Sequence, residues 1–293
     1  MEINLARTAG FCFGVRRAIK IALREAAKDS NVFMLGDIVH NEHVVADINR
    51  SGIRVVSDME QIPQGSTILL RAHGSTPEVY SGATAQGIRL VDATCPMVLE
   101  IHERAKRLET EGYTVAIIGD HNHDEVVGIA GHLNSSVVFA SPQEVRDHRG
   151  AYKKLGIVVQ STQDIENVRR IVAELVTKTA ELRFFNTICK PTKDHQEEIR
   201  TMPVANDVMV IVGSFTSANT MRLTKISRSL NPRTYQVQSA EDLKAEWFEG
   251  VRSVGVSAGA STPDYIIRSV VDQIAAFSAQ GAARDAKPPA EGR

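Results

Sequence analysis

Cysteine is scarce in this chain, and each cysteine lies at a position where a reactive thiolate could form. The three cysteines, Cys12, Cys95 and Cys189, lie in the stretches GFCFGV, DATCP and NTICKP. In each stretch a strand-like run gives way to a helical pattern, so backbone N–H groups and the helix dipole favour a thiolate. One buried cysteine is ordinary core packing, but three at equivalent positions indicate a shared metal or iron–sulfur site.

Loop residues that can bind an anion also recur in a matching pattern. The loops GDIVHNE, GDHNHDE and GSFTSAN place a histidine or serine at one shared position and an acid or amide two residues later. The loops AHGSTPE, VQSTQD and GASTPD match one another in the same way. The candidate residues are His40, His73, His123, Ser161, Thr162, Ser217, Asn219 and Ser261. Neutral donors at helix N-termini suit a diphosphate, with a protonated histidine supplying positive charge because these loops lack lysine.

One acidic residue in these loops is a candidate proton donor. Glu125 follows His123 by two residues, and a carboxyl group beside an anion site can hold and release a proton. The other histidines are expected to be solvent-exposed loop residues without a role in the site. These are His43, His102, His121, His132, His148 and His195.

The elements that must position these residues are short strands alternating with helices. Apolar runs of strand length, each bounded by turn residues, occur at 3–6, 32–35, 53–56, 67–70, 88–91, 114–118, 136–139, 156–159, 182–185, 208–212, 234–237 and 253–256. After Cys12, the residues Val15, Ile19 and Leu23 share one helical face, and a similar pattern follows Cys95. Strands that alternate with helices predict parallel sheets with crossover helices.

The matching loops divide the chain into three similar α/β units, each with a small, mainly parallel four-stranded sheet. The predicted units are 13–95, 96–189 and 190–277, the last completed by the N-terminal strand in 1–12. Residues 278–293 have almost no large apolar side chains and are predicted to be a disordered tail. A pseudo-threefold arrangement of the units would bring the cysteines and the carboxyl-end loops together around a central cluster.

Composition and charge exclude several classes of function. The chain has 293 residues, of which 43% are hydrophobic and 24% charged, and its formal net charge is -1. This balance gives no electrostatic footprint for nucleic acid, and no run approaches the roughly 20 apolar residues of a membrane span. The start MEINLART lacks the pattern of a secretory signal, and three widely spaced cysteines fit a reducing cytoplasm, which predicts a cytoplasmic protein.

Three cysteine ligands favour an iron–sulfur cluster over a structural zinc ion. Zinc normally takes four ligands, often in C-x-x-C pairs, and this sequence has no such pair. A [4Fe–4S] cluster bound by three cysteines leaves one iron able to act as a Lewis acid on a substrate oxygen. Two alternatives stay open: a zinc hydrolase that uses His40, His123 and Glu125, and a non-catalytic iron–sulfur sensor or binding protein.

As a set, these motifs resemble the 4-hydroxy-3-methylbut-2-enyl diphosphate reductases, the last enzymes of the non-mevalonate isoprenoid pathway. The matching stretches are, in order, GFCFGV, VHN, AHG, DATCP, His123-Asp124-Glu125, QST, NTIC, SAN and AGASTPD. Each motif alone would be weak evidence, but the set is specific and spans about residues 3–277.

The resemblance implies an oxidoreductase with one [4Fe–4S] cluster per chain, bound by Cys12, Cys95 and Cys189. The implied reaction removes the substrate hydroxyl as water and yields isopentenyl and dimethylallyl diphosphates. The electron donor would be a ferredoxin or a flavodoxin. By match, Glu125 would donate a proton, while Ser161 with Thr162 would position the hydroxyl. The implied diphosphate pocket contains His40, His73, His123, Ser217, Ala218, Asn219 and Ser261.

The sequence departs from the usual pattern of the family at four places, which comprise five residues. Asp124 stands where proline is usual, Ser161 where threonine is usual, and Lys190-Pro191 where an aromatic residue and alanine often follow the cysteine. Ala218 replaces a second serine, and the missing hydrogen bond to an ionised group would weaken binding by about tenfold or more. The departures leave the cysteines and Glu125 intact, and they leave open a divergent second copy with altered substrate preference or rate.

Overall fold

The computed structural model describes residues 1–285, in which short strands alternate with helices. The strands are β1 (Glu2–Leu5), β2 (Val32–Leu35), β3 (Arg54–Val56), β4 (Thr67–Leu70), β5 (Arg89–Asp92), β6 (Thr114–Ile118), β7 (Ser136–Phe139), β8 (Tyr152–Val159), β9 (Thr179–Phe184), β10 (Val208–Val212), β11 (Thr234–Val237) and β12 (Ser253–Ala258). The helices are α1 (Phe13–Ala26), α2 (Glu42–Arg50), α3 (Pro77–Ala85), α4 (Pro96–Thr110), α5 (Asp124–Gly131), α6 (Pro142–Asp147), α7 (Ile165–Val176), α8 (Lys190–Ala205), α9 (Ala218–Leu230) and α10 (Asp264–Asp285). Each predicted apolar run overlaps a strand.

The strands form three four-stranded sheets with one shared topology. The strand orders are β3-β2-β4-β5, β7-β6-β8-β9 and β11-β10-β12-β1. All neighbouring strands pair in parallel. The N-terminal strand β1 pairs with β12 and so fills the position that β5 and β9 fill in the other sheets. The predicted α/β fold with three parallel sheets is therefore confirmed.

The chain divides into two compact units by its internal contacts. One unit comprises Met1–Phe11 with the described residues from Asp194 onward, and it contains the sheet β11-β10-β12-β1. The other comprises Cys12–Lys193 and contains the remaining two sheets. The predicted boundaries of three units, and their pseudo-threefold arrangement around a cluster, stay predictions.

The central strands are buried on both faces, which explains why they read as continuous apolar runs. All residues of β4 and β10 are buried, as are the last five residues of β8. In a parallel sheet the crossover helices cover both faces, so a strand there needs no alternation of polar and apolar residues. The carboxyl ends of these strands lead into the loops that carry the candidate site residues.

Local capping sets where the site helices begin. Asn41 caps α2 by accepting hydrogen bonds from the backbone N–H groups of His43 and Val44. Thr76 precedes Pro77 at the first position of α3, where the missing N–H and fixed φ of proline suit a helix start. Gly112, just past α4, has a φ of +82°, which the left-handed turn at a helix end requires.

Two expectations differ from the structure. His102 in α4 and His195 in α8 are buried helical residues rather than exposed loop residues, because each lies on the covered face of its helix. His43 is also helical, in α2, and His43, His132 and His148 are half-buried. Helix α10 extends to Asp285, so residues 278–285 of the predicted disordered tail are helical. The buried face at Val270 and Ile274 establishes that helix, and the alanine-rich segment that follows propagates it at little cost. The rest of the predicted tail, 286–293, lies outside the described residues.

Within residues 1–285, no helix has both the length and the apolar character needed to cross a bilayer.

Candidate active site

The three cysteines lie at helix N-termini in the unit Cys12–Lys193. Cys12 and Cys95 are the N-cap residues of α1 and α4, and Cys189 immediately precedes α8. All three are free thiols and partly buried. The Val15 N–H lies 3.5 Å from the Cys12 sulfur, and the Thr192 hydroxyl lies 3.1 Å from the Cys189 sulfur. Polar hydrogens at these positions stabilise thiolate charge.

The sulfurs are close enough to influence one another. Burial raises the pKa of Cys12, Cys95 and Cys189, and each cysteine's pKa is raised further by the charge on another of the three. A Cβ at Gly14 would lie 2.5 Å from the Cys95 sulfur and 3.9 Å from the Cys12 sulfur, so glycine keeps this space open. Three facing thiolates repel one another unless a positive centre lies between them. This donor set therefore fits an iron–sulfur cluster, which takes thiolate ligands.

Glu125 and Ser161 form a hydrogen-bonded pair beside the cysteines. Glu125 is buried in the first turn of α5, and its two carboxylate oxygens accept hydrogen bonds from the Ser161 N–H at 2.5 Å and the Ser161 hydroxyl at 2.7 Å. The Ser161 carbonyl in turn accepts from the Cys189 N–H at 3.0 Å. The Glu125 charge also contributes to the raised pKa of Cys95 and of Cys189. This carboxyl group is thus placed next to the sulfur site and tied to a hydroxyl.

Gln160 connects the loops that follow β6 and β8. Its side-chain oxygen accepts from the Asp120 N–H at 2.9 Å, and its amide nitrogen donates to the Thr162 hydroxyl at 2.9 Å. A Cβ at Gly119 would lie 3.0 Å from Gln160, so this glycine admits the glutamine side chain. The contacts hold the Thr162 hydroxyl against the Gln160 amide, and the expected role of Thr162 beside Ser161 stays a prediction.

Three histidines from three loops cluster in the same unit. The ring centroids of His40 and His73 are 4.3 Å apart in a stacked geometry, and His123 lies 5.3 Å and 5.6 Å from them. His123 is the N-cap of α5, and its Nδ1 accepts from the Glu125 N–H at 3.2 Å. The neutral ring of His123 therefore carries its proton on Nε2, as a donor.

Two of the three histidines, His40 and His73, have pKa values below the ordinary value, which disfavours a positive charge on them. Burial is the main reason that the pKa of His73 is well below its ordinary value, and the neighbouring His40 and His123 lower it further. Burial also lowers the pKa of His40, although Asp124 opposes this shift. The Nδ1 atom of His73 is buried and has no hydrogen-bond partner among the described residues, so an arriving polar ligand could satisfy it. The expectation that a protonated histidine supplies the charge is not supported by these directions.

An arginine–aspartate pair borders this cluster, and sequence reasoning missed the arginine. The Nη1 atom of Arg71 donates to Oδ2 of Asp124 at 2.7 Å, and Nε2 of His40 lies 3.6 Å from the same oxygen. The sequence position of Arg71 could have indicated it, because Arg71 directly precedes the motif Ala72-His73-Gly74. Asp124 had been identified only as a departure from proline.

The zinc site considered from sequence is not formed as proposed. Among the described residues, the group whose ligand atoms lie within 4.8 Å of one another is His40, His73 and Asp124, whereas Glu125 faces Ser161. The Asp124 carboxylate in this group is already paired with the Arg71 guanidinium. We therefore interpret the group as a network for an anion rather than as a metal centre.

The remaining predicted residues lie in the other unit, at the ends of β10 and β12. Ser217 is the N-cap of α9, and its hydroxyl accepts from the Thr220 N–H at 3.4 Å. Ala218 and Asn219 follow and are buried, and within residues 1–285 neither polar atom of the Asn219 amide has a hydrogen-bond partner. Ser261 is also buried, in the loop after β12. An unsatisfied buried amide at a helix N-terminus is consistent with a polar ligand.

The fold and the cysteine site together define a class of α/β protein with three equivalent parallel sheets and a three-thiol centre. The model of the family described as LytB protein matches residues 3–275. A 4-hydroxy-3-methylbut-2-enyl diphosphate reductase of Geobacter sulfurreducens is 42% identical over 277 residues, covering 94% of this chain and 98% of the relative. The reductase of the same name from Aquifex aeolicus is 40% identical over 279 residues, covering 94% and 96%. The chain belongs to the LytB family.

Solved structures agree with this assignment. A structure of (E)-4-hydroxy-3-methyl-but-2-enyl diphosphate reductase, described as the terminal enzyme of the non-mevalonate pathway, is 40% identical and has a TM-score of 0.68. It covers 94% of this chain and 100% of its own. The Plasmodium falciparum E-1-hydroxy-2-methyl-but-2-enyl-4-diphosphate reductase has a TM-score of 0.89 at 26% identity, covering 92% and 87%. The resemblance expected from the motifs, and with it the prediction of an oxidoreductase, is confirmed.

Proposed function

We propose that this chain reduces 4-hydroxy-3-methylbut-2-enyl diphosphate to isopentenyl and dimethylallyl diphosphates, with release of water, at a [4Fe–4S] cluster bound by Cys12, Cys95 and Cys189. The observation that carries the proposal is the placement of three facing thiols beside the buried Glu125–Ser161 pair. The substrate in this proposal comes from the names of the relatives, because the geometry by itself supports only three neighbouring thiols next to a buried carboxyl group.

The three cysteines would hold the cluster through their thiolates. When bound, the cluster supplies electrons and an iron without a protein thiolate, which acts as a Lewis acid. The helix N-termini at Cys12 and Cys95 offset the negative charge of thiolate and sulfide. Electrons reach the site from a small one-electron carrier, a ferredoxin or a flavodoxin.

Glu125 and Ser161 deliver a proton to the leaving hydroxyl of the substrate. A protonated Glu125 donates to the Ser161 Oγ while Ser161 passes its own proton to the substrate hydroxyl, which then leaves as water. In the structure the Ser161 hydroxyl donates to the Glu125 carboxylate at 2.7 Å, and protonation of Glu125 would reverse this hydrogen bond for the relay. Two electrons and two protons balance the reaction, one proton going to the departing water and one to the carbon skeleton.

The histidine cluster binds the diphosphate group of the substrate. His123 at the N-cap of α5 offers a ring donor, and the helix N-terminus adds the partial positive charge of its free N–H groups. His40 and His73 lie within 4.3 Å of each other and provide further donors. The roles of Ser217, Ala218, Asn219 and Ser261 in diphosphate binding stay predictions from the sequence.

Anaerobic purification with iron and sulfide analysis tests the cofactor, and turnover tests the reaction. About four irons and four sulfides per chain are expected, with a cluster signal on reduction. Dithionite-driven consumption of the allylic diphosphate should then yield both isomeric products. Colourless protein with one zinc ion would support the hydrolase instead, and a full cluster without turnover would support an iron–sulfur sensor or binding protein.

A further inference from the structure

The histidine cluster needs a fixed positive charge if it is to bind a diphosphate. Its rings lie 4.3–5.6 Å apart, so charging all three at once would place like charges in contact. The charge of the Arg71 guanidinium acts on both His40 and His73, since it lowers the pKa of each. Arginine stays charged at any physiological pH and offers five N–H donors in a planar fork that matches phosphate oxygens.

Arg71 sits in a place shaped to hold its guanidinium. A Cβ at Gly36 would lie 2.8 Å from the Arg71 Nη1, and Gly36 has a φ of +70°, so the glycine both admits the side chain and allows the turn. Gly36 begins the loop that carries His40. On the opposite side, Asp124 accepts from the same Nη1 at 2.7 Å. The side chain of Arg71 remains 23% exposed, so solvent or a ligand can reach it.

Asp124 has two opposed effects on an anion in this position. Its carboxylate orients Arg71 and lies 3.6 Å from Nε2 of His40, which favours an ordered set of donors. The same negative charge repels a diphosphate and competes with it for the guanidinium. An Arg–carboxylate bond and an Arg–phosphate bond use the same N–H donors. A bound diphosphate must therefore compete with Asp124 for the N–H groups of Arg71.

We propose that Arg71 is a diphosphate-binding residue of the histidine cluster and that Asp124 restrains it, lowering affinity for the anion. This inference rests on the proposed function, because it assigns the diphosphate to this cluster. It predicts that substitutions of Arg71 and of Asp124 change the affinity for diphosphate in opposite directions. Arg71→Gln weakens diphosphate binding roughly tenfold to a hundredfold, the loss of a charge-assisted hydrogen bond. Asp124→Asn keeps an acceptor for Arg71, removes the negative charge, and tightens binding several-fold.

The test uses the anaerobically prepared, cluster-loaded enzyme, with inorganic diphosphate as the probe in isothermal titration calorimetry. The variants are Arg71→Gln, Arg71→Lys, Asp124→Asn and the double variant, with iron content and melting temperature checked for each. Arg146→Gln is the matched control, because it removes the exposed 2.6 Å ion pair to Glu174 in the same unit and away from the cluster. Steady-state kinetics with dithionite then separate KM from kcat.

The expected result is weaker binding for Arg71→Gln, an intermediate value for Arg71→Lys, tighter binding for Asp124→Asn and no change for Arg146→Gln. In turnover, Arg71→Gln should raise KM far more than it lowers kcat. Weaker diphosphate binding by Asp124→Asn would mean that the Arg71–Asp124 pair is only structural. Unchanged diphosphate binding by Arg71→Gln would remove Arg71 from the site. Either result overturns this inference and leaves the proposed function standing. Loss of binding on addition of EDTA would overturn it in favour of a metal ion at His40, His73 and Asp124. Wild-type enzyme that binds no diphosphate would overturn the proposed function as well.

Discussion

Gly14→Ala should separate the stability of the fold from the capacity to hold the cluster. The added Cβ would lie 2.5 Å from the Cys95 sulfur. Nonbonded heavy atoms pack at about 3.5–4.0 Å, so this sulfur would have to move by roughly 1 Å. Metal–ligand distances tolerate only about 0.2 Å, and such overpacking costs roughly 1–3 kcal/mol. We therefore expect the affinity for the cluster to fall roughly 5- to 150-fold.

Without the cluster, the same substitution should behave differently. Gly14 lies in α1 with a helical backbone, where alanine is favoured over glycine by up to about 1 kcal/mol, and a free Cys95 side chain can rotate away. The free energy of unfolding of the apoprotein, measured in urea, should therefore not fall. Gly82→Ala in α3 is the matched control, because its Cβ would meet only Met59 Cε, at 3.9 Å. That variant should be slightly stabilised and load its cluster normally.

The assay is iron and sulfide per chain after anaerobic reconstitution, followed by the rate of iron loss to a chelator. Wild-type protein and Gly82→Ala should retain the cluster, whereas Gly14→Ala should load it poorly or release it quickly. If Gly14→Ala held a full cluster with the chelator resistance of wild type, the sulfurs would not be arranged around this glycine as described. A Gly14→Ala apoprotein that is also strongly destabilised would mean that the effect is on folding instead.

Three further changes test other parts of the site and the fold. Glu125→Gln should retain iron and bind diphosphate but lose most turnover, because the amide cannot deliver a proton; undiminished kcat would remove Glu125 from the mechanism. Ala218→Ser should tighten diphosphate binding by about tenfold in calorimetry by restoring a hydroxyl at the start of α9, and an unchanged Kd would show that the site already compensates. Burial lowers the pKa of His102 to about 4, from an ordinary value of 6.5. Between these values the unfolded chain binds more protons than the folded chain, so stability should fall as pH falls, by up to roughly 3 kcal/mol. His102→Gln should flatten that slope in urea unfolding at about pH 7 and pH 5, and an equal slope in both proteins would contradict the assignment.

The strands could be placed from sequence because burial on both faces leaves a continuous apolar signature. The run 114–118 predicted β6 at its observed bounds, and its last four residues are buried. Strands β8 and β9 begin earlier than predicted, at Tyr152 and Thr179. Their first residues are partly exposed and polar, so hydrogen bonding to neighbouring strands, rather than hydrophobicity, extends them.

The candidate site was predicted residue by residue, but its internal contacts were not. Matching loops identified Glu125, Ser161 and the histidines, because a repeated unit repeats its strand ends. The Glu125–Ser161 bond joins residues 36 positions apart, and the Arg71–Asp124 pair joins residues 53 apart. No local pattern encodes which donor meets which acceptor across such distances.

The sequence by itself determined the α/β class, the repeat, the three cysteines and the chemistry that such a trio can support. These features follow from local periodicity and from residue types at equivalent positions, and both can be recognised without knowing how the chain packs. Only the tertiary structure decided that Glu125 turns toward Ser161, that Asp124 pairs with Arg71 and that burial lowers the pKa values of His40 and His73. Those outcomes depend on burial and on contacts between distant loops, because hydrogen-bond partners and pKa values are set by the three-dimensional surroundings of a group.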